Sequence, residues 1–204
     1  MYSRVKQQGF TLYIVLVLMA IIATLVLAGG QTLNTEMRIS SNDADKKYAF
    51  GLAEEALKAG ELYALETIHP TEVLANPLIT SSLEELIPRA DVFFDEMVGS
   101  GKLFTEDCDN GLCAPAMEQS GGSGAYADTP AWKRDIFVDG KSIEYILSDA
   151  NVSQSPRYII EFLGPSADVS NTLYRVTARA WGRNATTEVT VQSVISINNQ
   201  LEID

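Results

Sequence analysis

Gly9-Phe10-Thr11-Leu12-Tyr13-Ile14-Val15-Leu16-Val17-Leu18-Met19-Ala20-Ile21-Ile22-Ala23-Thr24-Leu25-Val26-Leu27-Ala28-Gly29-Gly30 is the stretch on which the reading of this chain turns. No charge follows until Glu36. At about 1.5 Å per residue, a helix from Phe10 to Gly30 spans about 30 Å, the thickness of a bilayer core. The residues before it carry Arg4 and Lys6 and no acid. By the positive-inside bias this places the N-terminus in the cytoplasm and everything after Gln31 on the far side of the membrane. Two ordinary readings follow. A secretory signal would be cut after the small-x-small triplet Val26-Leu27-Ala28. An uncleaved anchor would instead hold a periplasmic binding domain, capturing a cationic ligand or a metal with acidic loops.

The junction supports a third reading. A short basic leader ending in Gly9, then Phe10-Thr11-Leu12 and an apolar run, resembles the class III signal of type IV prepilins and type II secretion pseudopilins. The resemblance implies that a prepilin peptidase cuts after Gly9 on the cytoplasmic side and methylates Phe10, while the apolar helix stays on the mature protein as anchor and polymer core. The chain departs from the common pilin pattern at Ile14, the fifth mature position, where most pilins carry Glu. In the family that buried carboxylate is understood to pair with a neighbouring subunit's terminal amine, because an isolated charge in hydrocarbon is costly. K-type pseudopilins and their pilus counterparts share the lack, which implies a place at the filament tip. Further along, Glu36-Met37-Arg38-Ile39 and Leu52-Ala53-Glu54-Glu55-Ala56-Leu57-Lys58-Ala59-Gly60-Glu61 are similar to the start of PilX/PilK-type minor pilins, and Tyr174-Arg175-Val176-Thr177-Ala178-Arg179-Ala180-Trp181-Gly182 is similar to their closing sheet.

Read for periodicity alone, Tyr48, Leu52, Ala56, Ala59 and Tyr63 form one apolar stripe on a helix that continues the membrane span, with Glu54 and Lys58 as an i,i+4 pair on another side. Ala and Gly along the stripe permit close approach of another backbone. Gly29-Gly30 predicts a soft joint, and His69-Pro70 predicts the helix end, leaving His69 in a loop or at the helix terminus. A second helix is expected over Ser81 to Val98, interrupted by Pro88, and the Gly/Ser/Asp-rich run from Gly99 to Thr129 reads as loop.

Within that loop, Cys108-Asp109-Asn110-Gly111-Leu112-Cys113 sets two cysteines around an Asn-Gly turn. In an exported domain this predicts a Cys108–Cys113 disulfide that fixes a tight loop. A redox centre is not supported by the spacing. Glu106, Asp107, Asp109 and Asn110 crowd oxygens there, and K-type pseudopilins bind calcium; the stretch lacks EF-hand spacing, so a solvated acidic loop stands against a calcium site at Asp107 and Asp109. No other cofactor is expected.

The last quarter changes to period two: Tyr158, Ile160 and Phe162; then Tyr174, Val176, Ala178 and Ala180; then Val189, Val191 and Ile195. Gly182-Arg183-Asn184-Ala185 joins the last two runs as a hairpin with one face on the helix. The fold class expected is α+β, a pilin fold: leader 1–9, membrane helix 10–30, amphipathic helix 31–66 and a periplasmic or extracellular head 67–204 with a loop-rich middle and an antiparallel sheet whose edges are open to a partner strand.

Composition narrows the function. With 15 Lys+Arg against 27 Asp+Glu and a formal charge of −12, the body of the protein has no basic excess for direct nucleic-acid binding. One His and two Cys remove the usual ingredients of zinc sites and of Ser-His or Cys-His catalysis, so no enzyme is expected. The resemblance implies a minor pilin that primes type IV pilus assembly in a tip complex, with other minor pilins, the major pilin, prepilin peptidase and a tip adhesin as partners, in the inner membrane and later in the pilus. The tip pseudopilin of a type II secretion system carries the same signal. It usually has a large helical insertion, for which about 140 head residues leave little room.

Overall fold

The computed structural model describes residues 10–73, 90–116, 129–148, 151–166 and 170–199. The chain divides into two compact units, Met1–Ala44 and Asp45–Asp204. Helix α1 runs from Phe10 to Tyr63, continuing without interruption through Gly29-Gly30, where the sequence suggested a soft joint. In the first unit Phe10 to Leu27 is apolar and none of it is buried. Thr24, a polar residue of that stretch, donates its hydroxyl to the Ile21 carbonyl at 2.8 Å, so the side chain carries its own partner into an apolar setting.

In the second unit α1 meets the sheet. Ala49, Leu52, Ala53, Ala56 and Gly60 are buried, one, three or four residues apart on a single stripe as the amphipathic pattern requires. Past Tyr63 the helix neither stops nor stays α: Ala64–Val73 forms wider π-type turns with Pro70 inside. This corrects the expected stop at His69-Pro70. A proline ring collides with the carbonyl four residues back in an α-helix, and the wider turn moves that carbonyl aside. His69 is therefore a buried helical residue, 2% exposed. Helix α2 covers Ala90–Met97; the rest of the expected second helix, with Pro88, lies outside the described residues.

The sheet is mixed, with five strands: β1 (Leu112–Cys113), β2 (Ile143–Glu144), β3 (Arg157–Pro165), β4 (Asn171–Trp181) and β5 (Glu188–Asn198). β3–β4 and β4–β5 are antiparallel, as the alternation implied. The other side of β3 takes β1 in parallel, Leu112 opposite Ile160, and β2 antiparallel, Ile143 opposite Tyr158. Neither short strand was readable as one, since two residues carry no period.

One face of the sheet packs on the main core; on the other, β3 is covered while Thr190, Gln192 and Val194 of β5 stay exposed. Tyr158, Ile160, Phe162, Tyr174, Val176 and Ala178 pack with Ala56, Ala64 and Ile68 in the main core. Its centre is aromatic: Phe104 stacks on Phe162 at 5.1 Å between centroids, and Tyr174 meets Phe162 edge-on at 5.8 Å. On the opposite face Ile159 and Trp181 pack with Cys108, Cys113, Ala131, Ile136 and Phe137. The two cysteines of the stretch read as loop, with Ala131, Ile136 and Phe137 just after it, thus close a second layer of core.

Candidate functional site

With no catalytic cluster expected, the candidate site is an assembly surface: the exposed apolar helix and the structures that hold the head's own helix and loops in place. Gly9 and the residues before it lie outside the described residues. Phe10 opens α1 and is 73% exposed, and Ile14, one turn later, is 42% exposed. An apolar helix of this length with every described side chain open is compatible with a membrane anchor.

Where the helix joins the head, Asp45 is 7% exposed. Its Oδ1 accepts the Arg183 backbone N–H at 2.8 Å, and its Oδ2 accepts the backbone and side-chain N–H groups of Asn184 at 3.3 and 3.2 Å. The β4–β5 turn therefore presents a nest of donors to a carboxylate on α1. These bonds, led by the one from Arg183, hold the Asp45 carboxyl below its ordinary range. The Arg183 guanidinium lies over the Tyr48 ring at 5.4 Å. Nothing in the sequence flagged Asp45, because its partners lie 138 and 139 residues away.

A second attachment lies at the end of the π-type turns. His69 Nδ1 accepts the Tyr174 hydroxyl at 3.0 Å, and Nε2 donates to the Asn198 carbonyl at 3.1 Å. Burial lowers the His69 pKa, with the Asn198 carbonyl opposing the shift, so the ring is kept neutral. The same kind of burial raises the Tyr174 hydroxyl.

Cys108 and Cys113 form a disulfide around a 3-10 turn, Asp109–Gly111. Gly111 takes φ +81, and a side chain there would strike Ile143 Cγ1 at 2.7 Å, so only glycine lets the loop lie against β2. Arg134 braces the loop by donating to the carbonyls of Thr129, Glu106 and Ala114 at 2.8, 2.8 and 2.9 Å. Glu161 of β3 is fully buried beneath it and accepts the Ala131 N–H at 3.0 Å, with Arg175 at 3.4 Å. The two candidate calcium ligands have separate partners: Asp107 pairs with Lys141 at 3.3 Å, and Asp109 accepts the Thr105 hydroxyl at 3.2 Å.

This pairing of an exposed apolar helix with a disulfide-pinned α+β head is matched at both ends by known families. The PilX N-terminal family model matches residues 8–58, and the model for the C-terminal part of the type IV pilus assembly protein PilX matches residues 109–197. No curated protein and no solved structure matches the chain. The N-terminal match begins just before the Gly9-Phe10 junction, and the C-terminal one runs from the disulfide loop to the end of β5. Together they cover more than half of the sequence, and the chain belongs to the PilX family of type IV pilus assembly proteins, a family of minor pilins.

Proposed function

We propose that this chain is a minor pilin that primes type IV pilus assembly: it is held in the inner membrane with its head in the periplasm, joins other minor pilins in a tip complex, and receives the major pilin beneath it. The observation that carries the reading is the exposed apolar helix beginning at Phe10, directly behind Gly9 and with Ile14 where a repeating subunit would bear a carboxylate. Prepilin peptidase acts on the Gly9-Phe10 bond, removes Arg4 and Lys6 with the leader, and methylates Phe10. The apolar helix is then free to pass from lipid to a bundle of like helices without exposing a polar backbone group. A subunit with Ile14 offers no carboxylate to the amine of a subunit above it, which suits the last position of a filament and no other. The work of the protein is mechanical, and a tip adhesin is a further partner on this reading.

Mass spectrometry of the protein recovered from membranes and sheared filaments tests the first step. N-methyl-Phe10 is the expected terminus; Gly29 or an intact Met1 refutes it. Gly9→Ala blocks processing, and a deletion strain loses surface pili. Normal piliation with impaired protein secretion would assign the chain to a secretion system instead.

A further inference from the structure

An open cavity of about 770 Å³ lies on the outer face of the sheet, walled by Arg179 of β4, Thr190 and Gln192 of β5, and Trp132, Lys133 and Asp135 in and just after a 3-10 turn at Ala131–Lys133. The size suits a small ligand rather than a helix. In a chain of formal charge −12, this wall gathers cations, with Asp135 as its carboxylate.

The chemistry of the wall is specific. The Arg179 guanidinium lies over the Phe137 ring at 4.2 Å, and its Nε donates to Thr190 Oγ1 at 3.1 Å. Stacking and that bond hold the planar fork in place. Among the described residues no carboxylate forms an ion pair with it, so its terminal nitrogens remain available for a planar anion. Thr190 Oγ1 already accepts from Arg179, which leaves its hydroxyl proton to donate. Gln192 Nε2 donates to Thr177 Oγ1 at 3.0 Å, which leaves Oε1 to accept. Trp132 is half-buried, and Lys133 Nζ stands 5.0 Å from its ring centre. Arg134, also in the wall, is occupied by the three carbonyls already named.

We propose that this cavity binds a saccharide bearing a carboxylate, a uronic acid unit. The carboxylate pairs with Arg179, the apolar face of the sugar ring lies on Trp132, and ring hydroxyls meet Thr190 and Gln192. An inorganic phosphate would use the cations but leave the Gln192 acceptor and the indole idle. A uronate engages Arg179, Trp132, Thr190 and Gln192 together, and the assignment is independent of the chain's place in a filament.

Calorimetric titration of the full chain in detergent micelles with trigalacturonate tests it. Binding is expected, weakening as salt rises, with maltotriose silent and with Arg179→Gln at least about tenfold weaker, the loss of a charge-assisted pair. Because Arg179 also packs on Phe137, the exposed Lys133→Glu and Trp132→Ala variants are measured beside it, each with circular dichroism to establish folding; both are expected to weaken binding. Three results overturn the proposal: no heat with trigalacturonate, equal binding by wild type and all three variants, or tighter binding of hexaglutamate or inorganic phosphate, which would make the cavity an acidic-peptide or simple anion site.

Discussion

Gly60 lies where helix and sheet come closest: a β-carbon there would stand 2.7 Å from Val176 Cγ1 and 2.8 Å from Tyr158 Cδ2. Gly51, on the same helix, has nothing within 4 Å of that position. Alanine favours a helix interior by about 1 kcal/mol over glycine, while overpacking a tight contact costs about 1–3 kcal/mol. Gly51→Ala is therefore expected to raise the denaturation midpoint in urea, and Gly60→Ala to lower it, by about 1 kcal/mol each way. Two ionisable residues fix the pH response. His69 has a folded pKa below its ordinary 6.5, so it stabilises the fold fully above that value. Stability then declines as pH falls, because the unfolded chain takes up a proton that the native one refuses. Asp45, with its pKa below 3.8, contributes above the unfolded value, and the contribution disappears as pH falls through the folded one. A urea midpoint followed from pH 8 to 3 should show both declines; His69→Phe should flatten the upper one and Asp45→Asn the lower.

At the scale of elements, the disulfide loop is held twice, by Cys108–Cys113 and by Arg134 on three carbonyls. Closing so short a loop stabilises by about 2 kcal/mol in the chain-entropy account. The double variant Cys108→Ser/Cys113→Ser is expected to lose about that much in a denaturant melt yet remain folded. Adding Arg134→Ala should cost more than the sum of the separate changes, since each brace restrains what the other would release. The elements differ in how far the sequence revealed them. α1, β3, β4 and β5 were legible because each repeats its period several times, although β3 is buried on both faces. β1, β2 and the covering of the outer face were not, since a two-residue strand has no period and Phe137 meets Ile159 and Trp181 only through the tertiary fold. The π-type turns were misread because Pro70 is a reliable helix breaker only while the turn stays α. Phe10 and Ile14 stand out in the sequence from the junction alone, whereas Asp45 and His69 depend on partners more than a hundred residues away.

For the whole molecule, the proposed role requires both the apolar helix and the folded head. Ile14→Glu would restore the carboxylate of a repeating subunit. On the tip reading it should shift the protein from filament ends to positions along the shaft, which immunogold labelling of sheared pili would count; labels confined to the ends would refute that account of Ile14. The Asp45 clamp has a consequence for biogenesis as well. The helix side of the clamp leaves the ribosome 138 residues before Arg183, and at about 5–20 residues per second that interval lasts roughly 7–28 s. For most of it Ala49, Leu52, Ala53 and Ala56 precede the strands that cover them, so the burial of this helix face waits for the last quarter of the chain to be made.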